Sequence, residues 1–139
     1  MPKLTQTIPA LPVRDMTAAV AFYRDRLGFE IPYQAEGFAR VVRDDVELHL
    51  WESGDEEWHD RADFTANPVR SGAEDFIAGT ASCRIACDDV DGLFEEYRAS
   101  EVLHPVARDG PEDTEWGTRE FGALDLDGNL LGFFRWRDA

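Results

Sequence analysis

Val13-Arg14-Asp15-Met16-Thr17-Ala18-Ala19-Val20-Ala21-Phe22-Tyr23-Arg24-Asp25-Arg26-Leu27-Gly28 decides the fold, because the chain repeats its plan further on as Cys87-Asp88-Asp89-Val90-Asp91-Gly92-Leu93-Phe94-Glu95-Glu96-Tyr97-Arg98. A shift of 74 residues places Val13 on Cys87, Asp15 on Asp89, Met16 on Val90, Val20 on Phe94, Tyr23 on Tyr97 and Arg24 on Arg98. In the first copy Asp15 or Thr17 can cap a helix whose apolar residues Val20, Phe22, Tyr23 and Leu27 recur near helical spacing. Gly28, free to take positive φ, ends it. In the second, Asp88-Asp89 caps a helix carrying Val90, Leu93, Phe94 and Tyr97.

Strands flank both helices. Thr7 to Val13 reads as an extended segment whose Pro9 and Pro12 suit a sheet edge. Phe29 to Tyr33, Phe38 to Val42 and Val46 to Trp51 alternate as strands, with Asp44-Asp45 as the turn before the last. In the second half Ser82 to Cys87, Arg119 to Leu124 and Leu130 to Trp136 do the same, with Asp127-Gly128 as the tight turn. A shift of 83 places Asp44 on Asp127, Leu48 on Leu131 and Leu50 on Phe133. The expected fold class is α+β: two βαβββ modules in one domain, 1–139, with modules about 1–52 and 80–139. Each helix covers one face of a short sheet, so the other faces are expected to form a concave surface. The joining loop, 53–79, holds seven acidic residues, and its Trp58, Phe64 and Phe76 favour a partly ordered flap over pure disorder.

Composition narrows the function. The chain has 139 residues and a formal net charge of −15, which repels a phosphate backbone and steers cationic ligands inward. Nucleic acid is therefore not an expected partner. No apolar run is long enough to span a membrane, and no charged region followed by an apolar stretch opens the chain, so a cytoplasmic protein is expected. Cys83 and Cys87 are the only cysteines. On one strand they would stand about 13 Å apart, too far for a disulfide, and they read as small core residues.

Val13-Arg14-Asp15 followed by Phe22 to Phe29 resembles the opening of the vicinal-oxygen-chelate (glyoxalase/bleomycin resistance/dioxygenase) superfamily. Asp125-Leu126-Asp127-Gly128-Asn129 resembles its closing turn, with Leu126 where proline is usual. Phe38 to Asp45, Glu115-Trp116-Gly117 and Arg119-Glu120-Phe121 are similar to bleomycin resistance proteins within it, although Thr118 interrupts the last pair of stretches. The resemblance implies a homodimer that exchanges its N-terminal strands and forms two clefts. It also places the superfamily's metal-ligand positions at Ile8, His49, Ser82 and Gly132. Ile and Gly offer no ligand atom, and one histidine cannot hold zinc. No metal, cofactor or catalytic residue is therefore expected.

The expectation is a non-catalytic protein that sequesters a bleomycin-like ligand, aromatic and cationic, and so confers drug resistance. Phe38, Trp51 and Trp116 are candidate stacking surfaces, although each could serve only in packing. His49 is a core residue, a donor to ligand or, least favoured, a metal ligand. Glu115 and Gly117 flank Trp116 at the rim, and Arg119 and Glu120 orient the loop through an ion pair or face water. The alternatives are a metal-dependent lyase or dioxygenase of the same superfamily, a carrier of another aromatic molecule, or a purely structural module.

Overall fold

In the computed structural model, which describes residues 1–54, 69, 71–107 and 109–137, Asp15 and Asp89 start the two helices. The Asp15 carboxylate accepts the Ala18 N–H at 3.1 Å and that of Asp89 the Gly92 N–H at 2.9 Å. Helix α1, Met16–Asp25, buries Met16, Ala19, Val20 and Tyr23, and α2, Val90–Ala99, buries Val90, Phe94 and Tyr97.

The strands are β1 (Ala10–Val13), β2 (Glu30–Ala35), β3 (Phe38–Arg43) and β4 (Val46–Glu52), then β5 (Ser82–Ala86), β6 (Glu112–Asp113), β7 (Thr118–Leu124) and β8 (Leu130–Trp136). They form two four-stranded sheets of the same topology, ordered β1-β4-β3-β2 and β5-β8-β7-β6. In each, the strand before the helix pairs in parallel with the last strand of the module: Ala10 opposite His49, and Arg84 opposite Gly132. These two pairs are related by the shifts of 74 and 83, so the repeat seen in sequence is a repeat in space.

Leu11, Val13, Ala39, Val41, Leu48 and Leu50 of the first sheet and Ile85, Phe121, Ala123, Leu131 and Phe133 of the second join the helices in one core. Alternation sends the intervening residues of every strand to the opposite, open face.

One expectation changes, and two local features appear that the sequence did not signal. The first strand begins at Ala10, not Thr7: Pro9 lacks an N–H, and residues 1–8 are exposed. The stretch Asp109 to Glu115 contains the short strand β6, whose two acidic residues carry no apolar alternation to signal it. The last segment of the module also holds a single 3-10 turn, Pro105–Ala107. Cys83 and Cys87 are free thiols, half-buried against the core. In the 53–79 connection, Trp58 and Phe64 lie outside the described residues. Within it Ala73 and Ala78 are buried, and the Ser53 hydroxyl donates to the Phe76 carbonyl.

Candidate functional site

Strand register builds the first half of the site. Phe38 stands opposite Trp51 and Arg40 opposite His49, all on the open face of the first sheet. The Phe38 ring meets His49 edge-on at 5.1 Å and Trp51 edge-on at 4.8 Å, with Tyr33 tilted against it at 6.1 Å. Glu47, one side chain along the same face, is the polar centre. Arg40 donates to both its oxygens, at 2.9 and 3.1 Å, and His49 Nε2 lies 2.6 Å from Oε2. Hydrogen bonds from Arg40, then His49, pull the Glu47 carboxyl down to about 2.

Trp51 is less open than its residue type suggests. A Cβ on Gly72 would come within 1.9 Å of the indole, so the backbone of the returning loop packs directly against that ring. Only glycine permits this approach.

The second sheet has its own open-face cluster. Arg84 grips Glu120 through two hydrogen bonds of 3.1 Å, and its guanidinium sits 4.6 Å above the Phe134 ring. Phe134 meets Trp136 edge-on at 5.8 Å. The Glu120 carboxyl is held below its ordinary range by Arg84 first, with hydrogen bonds from Thr118 and Trp116 adding to it. Trp116 is 65% exposed in the β6–β7 hairpin, beside exposed Glu115, and Gly117 takes a φ of +96° to close the turn. Thr118, whose place after Gly117 obscured the register, is a buried strand residue opposite Trp136.

The structure separates Arg119 from Glu120. Arg119 faces α2, bonding Asp91 at 2.7 Å and Asp113 of β6 at 3.0 Å, while Glu120 faces the other way to Arg84. The two orient their surroundings through different pairs. The candidates thus fall in two groups on two sheets: Phe38, His49 and Trp51 on one, and Glu115, Trp116, Gly117 and Glu120 on the other. Sequence reasoning missed Arg40, Glu47, Arg84, Phe134 and Trp136. Strand alternation alone would have placed Glu47 with His49 and Trp51, and Phe134 with Trp136.

Two concavities lie elsewhere. A cavity of about 560 Å³ between Arg43, Val46, Cys87, Asp88, Leu93 and Tyr97, and a smaller one beside Met16 and Glu52, include none of the candidate residues. The superfamily's metal positions do not fit a resident ion: Ile8 precedes the first strand, and neither it nor Gly132 has a donor atom. Among the described residues no three His, Cys, Asp or Glu side chains group to hold a metal. Among these residues no helix is long and apolar enough to cross a membrane.

Comparison with known proteins agrees with the architecture. A bleomycin resistance protein of Geobacillus stearothermophilus is 42% identical over 132 residues, which is 95% of this chain and 97% of that one. A bleomycin-binding protein from bleomycin-producing Streptomyces verticillus, solved with copper(II)-bleomycin, superposes with a TM-score of 0.67 at 29% identity, covering 96% of this chain and 97% of that one. A lactoylglutathione lyase from Agrobacterium tumefaciens superposes as well, with a TM-score of 0.69 at 23% identity over 97% of this chain and 96% of its own, so the fold by itself does not separate binder from enzyme. The profile of the Glyoxalase/Bleomycin resistance protein/Dioxygenase superfamily matches residues 6–133, and the chain belongs to that family.

Proposed function

We propose that this protein binds a bleomycin-type glycopeptide antibiotic and holds it unaltered, so that resistance comes from sequestration. The observation that carries the reading is the pair of open sheet faces, each an aromatic surface over an internally neutralised Arg–Glu pair. Such surfaces suit a flat heteroaromatic tail, while the net charge of −15 draws a cationic terminus toward the rim at Glu115. The 42% identity to a bleomycin resistance protein supports the choice of ligand. The contact residues on this reading are Phe38, His49 and Trp51 on one face and Glu115, Trp116, Gly117 and Glu120 on the other. Arg119 acts from behind, tying β6 to α2.

A second copy of the chain would bring a face of each kind together. The exposed arm 1–8, hinged at Pro9, is suited to reach that copy. The working unit on this reading is a homodimer in the cytoplasm, with no nucleic acid or membrane partner.

Titration of bleomycin against tryptophan fluorescence tests the reading. Quenching is expected, with the drug recovered chemically unchanged. Trp116→Ala should weaken binding about tenfold, the scale of one aromatic stack. Absence of any response to bleomycin, or conversion of the drug, overturns the reading.

A further inference from the structure

We propose that His49 coordinates the metal that the drug itself carries: its Nδ1 takes an open position on the copper(II) ion of metal-loaded bleomycin. This rests on the binding reading above.

The geometry of three side chains points to it. Glu47 is an ionised carboxylate, gripped at both oxygens by Arg40, and can only accept hydrogen bonds. At 2.6 Å, His49 Nε2 must therefore carry the hydrogen, which leaves Nδ1 as the ring nitrogen that can present a lone pair. Among the described residues no donor reaches Nδ1. The ring is 25% exposed on the open face, fixed edge-on by Phe38. A carboxylate on the far nitrogen is the support that metal-bound histidines have: it fixes the tautomer and makes the free nitrogen a better donor.

One histidine cannot hold an ion, and no three-donor group is present among the described residues, so the other donors must come from the ligand. A chelating drug supplies them; the Streptomyces verticillus protein was solved with copper(II)-bleomycin. Imidazole suits copper(II). The step is simple ligand exchange: the Nδ1 lone pair replaces a water on the ion, with no change of oxidation state and no bond broken in the drug. The site would then favour the metal-loaded drug over the metal-free one, a selectivity that stacking alone does not give.

Calorimetric titration with metal-free and copper(II)-loaded bleomycin measures the ratio of the two affinities. It should exceed about tenfold in the wild type, fall to near one in His49→Ala, and fall partway in Glu47→Gln, which loosens the tautomer without removing the ring. Protein labelled with [15N]histidine, examined by electron–nuclear double resonance on the copper signal, should show a 15N coupling. That coupling should vanish in His49→Ala, which keeps His59 and His104. Equal affinities in the wild type, or no 15N coupling in a bound complex, overturn the proposal while leaving drug binding intact. Failure of both drug forms to bind overturns the function reading, and this proposal with it.

Discussion

Asn129→Ala should unfasten the junction between the modules. Asn129 is fully buried, and its amide makes four hydrogen bonds to three parts of the chain. Nδ2 donates to the Pro12 carbonyl at 2.8 Å and to Asp125 at 2.9 Å; Oδ1 accepts from the Gly79 N–H at 3.1 Å and the Ala81 N–H at 3.2 Å. Alanine leaves all four partners short of a bond. At a net value of about 1 kcal/mol each the ceiling is about 4 kcal/mol. Gly79 and Ala81 are only half-buried, so water recovers part of the loss, and about 2–3 kcal/mol is expected. For a chain of this length that lowers Tm by about 10 °C. Urea denaturation followed by circular dichroism reads the change. Tyr23→Phe removes the other bond to Asp125 Oδ2, made at 2.9 Å, so the double variant should fall short of the sum of the singles by about 1 kcal/mol. A loss below about 1 kcal/mol for Asn129→Ala, or strict additivity with Tyr23→Phe, would refute the reasoning that this amide is the hub of the junction.

Burial pushes the Cys83 thiol up to about 11, from an ordinary value near 9. The folded state therefore resists the thiolate, and stability should be complete below about pH 9 and fall as pH rises from there toward 11. Cys83→Ala should flatten that decline, which denaturation at stepped pH would reveal. Gly72→Ala sets a methyl carbon against the Trp51 indole and should cost about 1–3 kcal/mol while changing the tryptophan emission; an unshifted spectrum and Tm would mean the loop does not rest on that ring. Asp15→Ala removes the α1 cap and should cost about 1 kcal/mol, measurable in the same urea series.

Much of the fold was legible because the repeat was written in the side chains that make it. Asp15 and Asp89 cap, Tyr23 and Tyr97 bury, and the two shifts relate the pair Ala10–His49 of one sheet to Arg84–Gly132 of the other. The start of β1 was not legible, since Thr7 and Ile8 are extended formers that simply lack a neighbouring strand. Nor was β6, because Glu112 and Asp113 are two exposed acidic residues with no apolar alternation to mark a strand. At the candidate site, Phe38, His49 and Trp51 were found together because one alternating strand and its neighbour carry them. Arg119 was grouped with Glu120 by adjacency, which in a strand guarantees opposite faces. Glu47 was passed over although alternation puts it on the face of His49 and Trp51, because its role comes from two partners, Arg40 and His49, whose distances no sequence displays.

The two modules share geometry but not charge, and the difference bears on where ligand chemistry can sit. By strand register Arg43 is the counterpart of Asp125, Val46 of Asn129, and Asp88 of Arg14. At one junction Tyr23 meets Asp125, Arg14 meets Asp127, and the Asn129 amide laces the pieces shut. At the other, Val46 has no amide to bridge, Asp88 adds to the acidic pair Asp44 and Asp45, and Arg43 turns to Glu96 at 2.7 Å; the cavity of about 560 Å³ remains. The open faces follow the opposite rule. Each pairs its arginine with a glutamate beside its aromatic rings, so neither face carries net charge from that pair. Among the described residues, other carboxylates carry unpaired charge in contact with water, including Glu115 at the rim and Asp45 and Asp88 at the open junction. There it acts over a Debye length of about 10 Å at 0.1 M salt. If the drug is held as proposed, salt should slow the encounter with a cationic drug far more than it hastens release, because the stacking contacts lie beside Arg–Glu pairs that already neutralise each other.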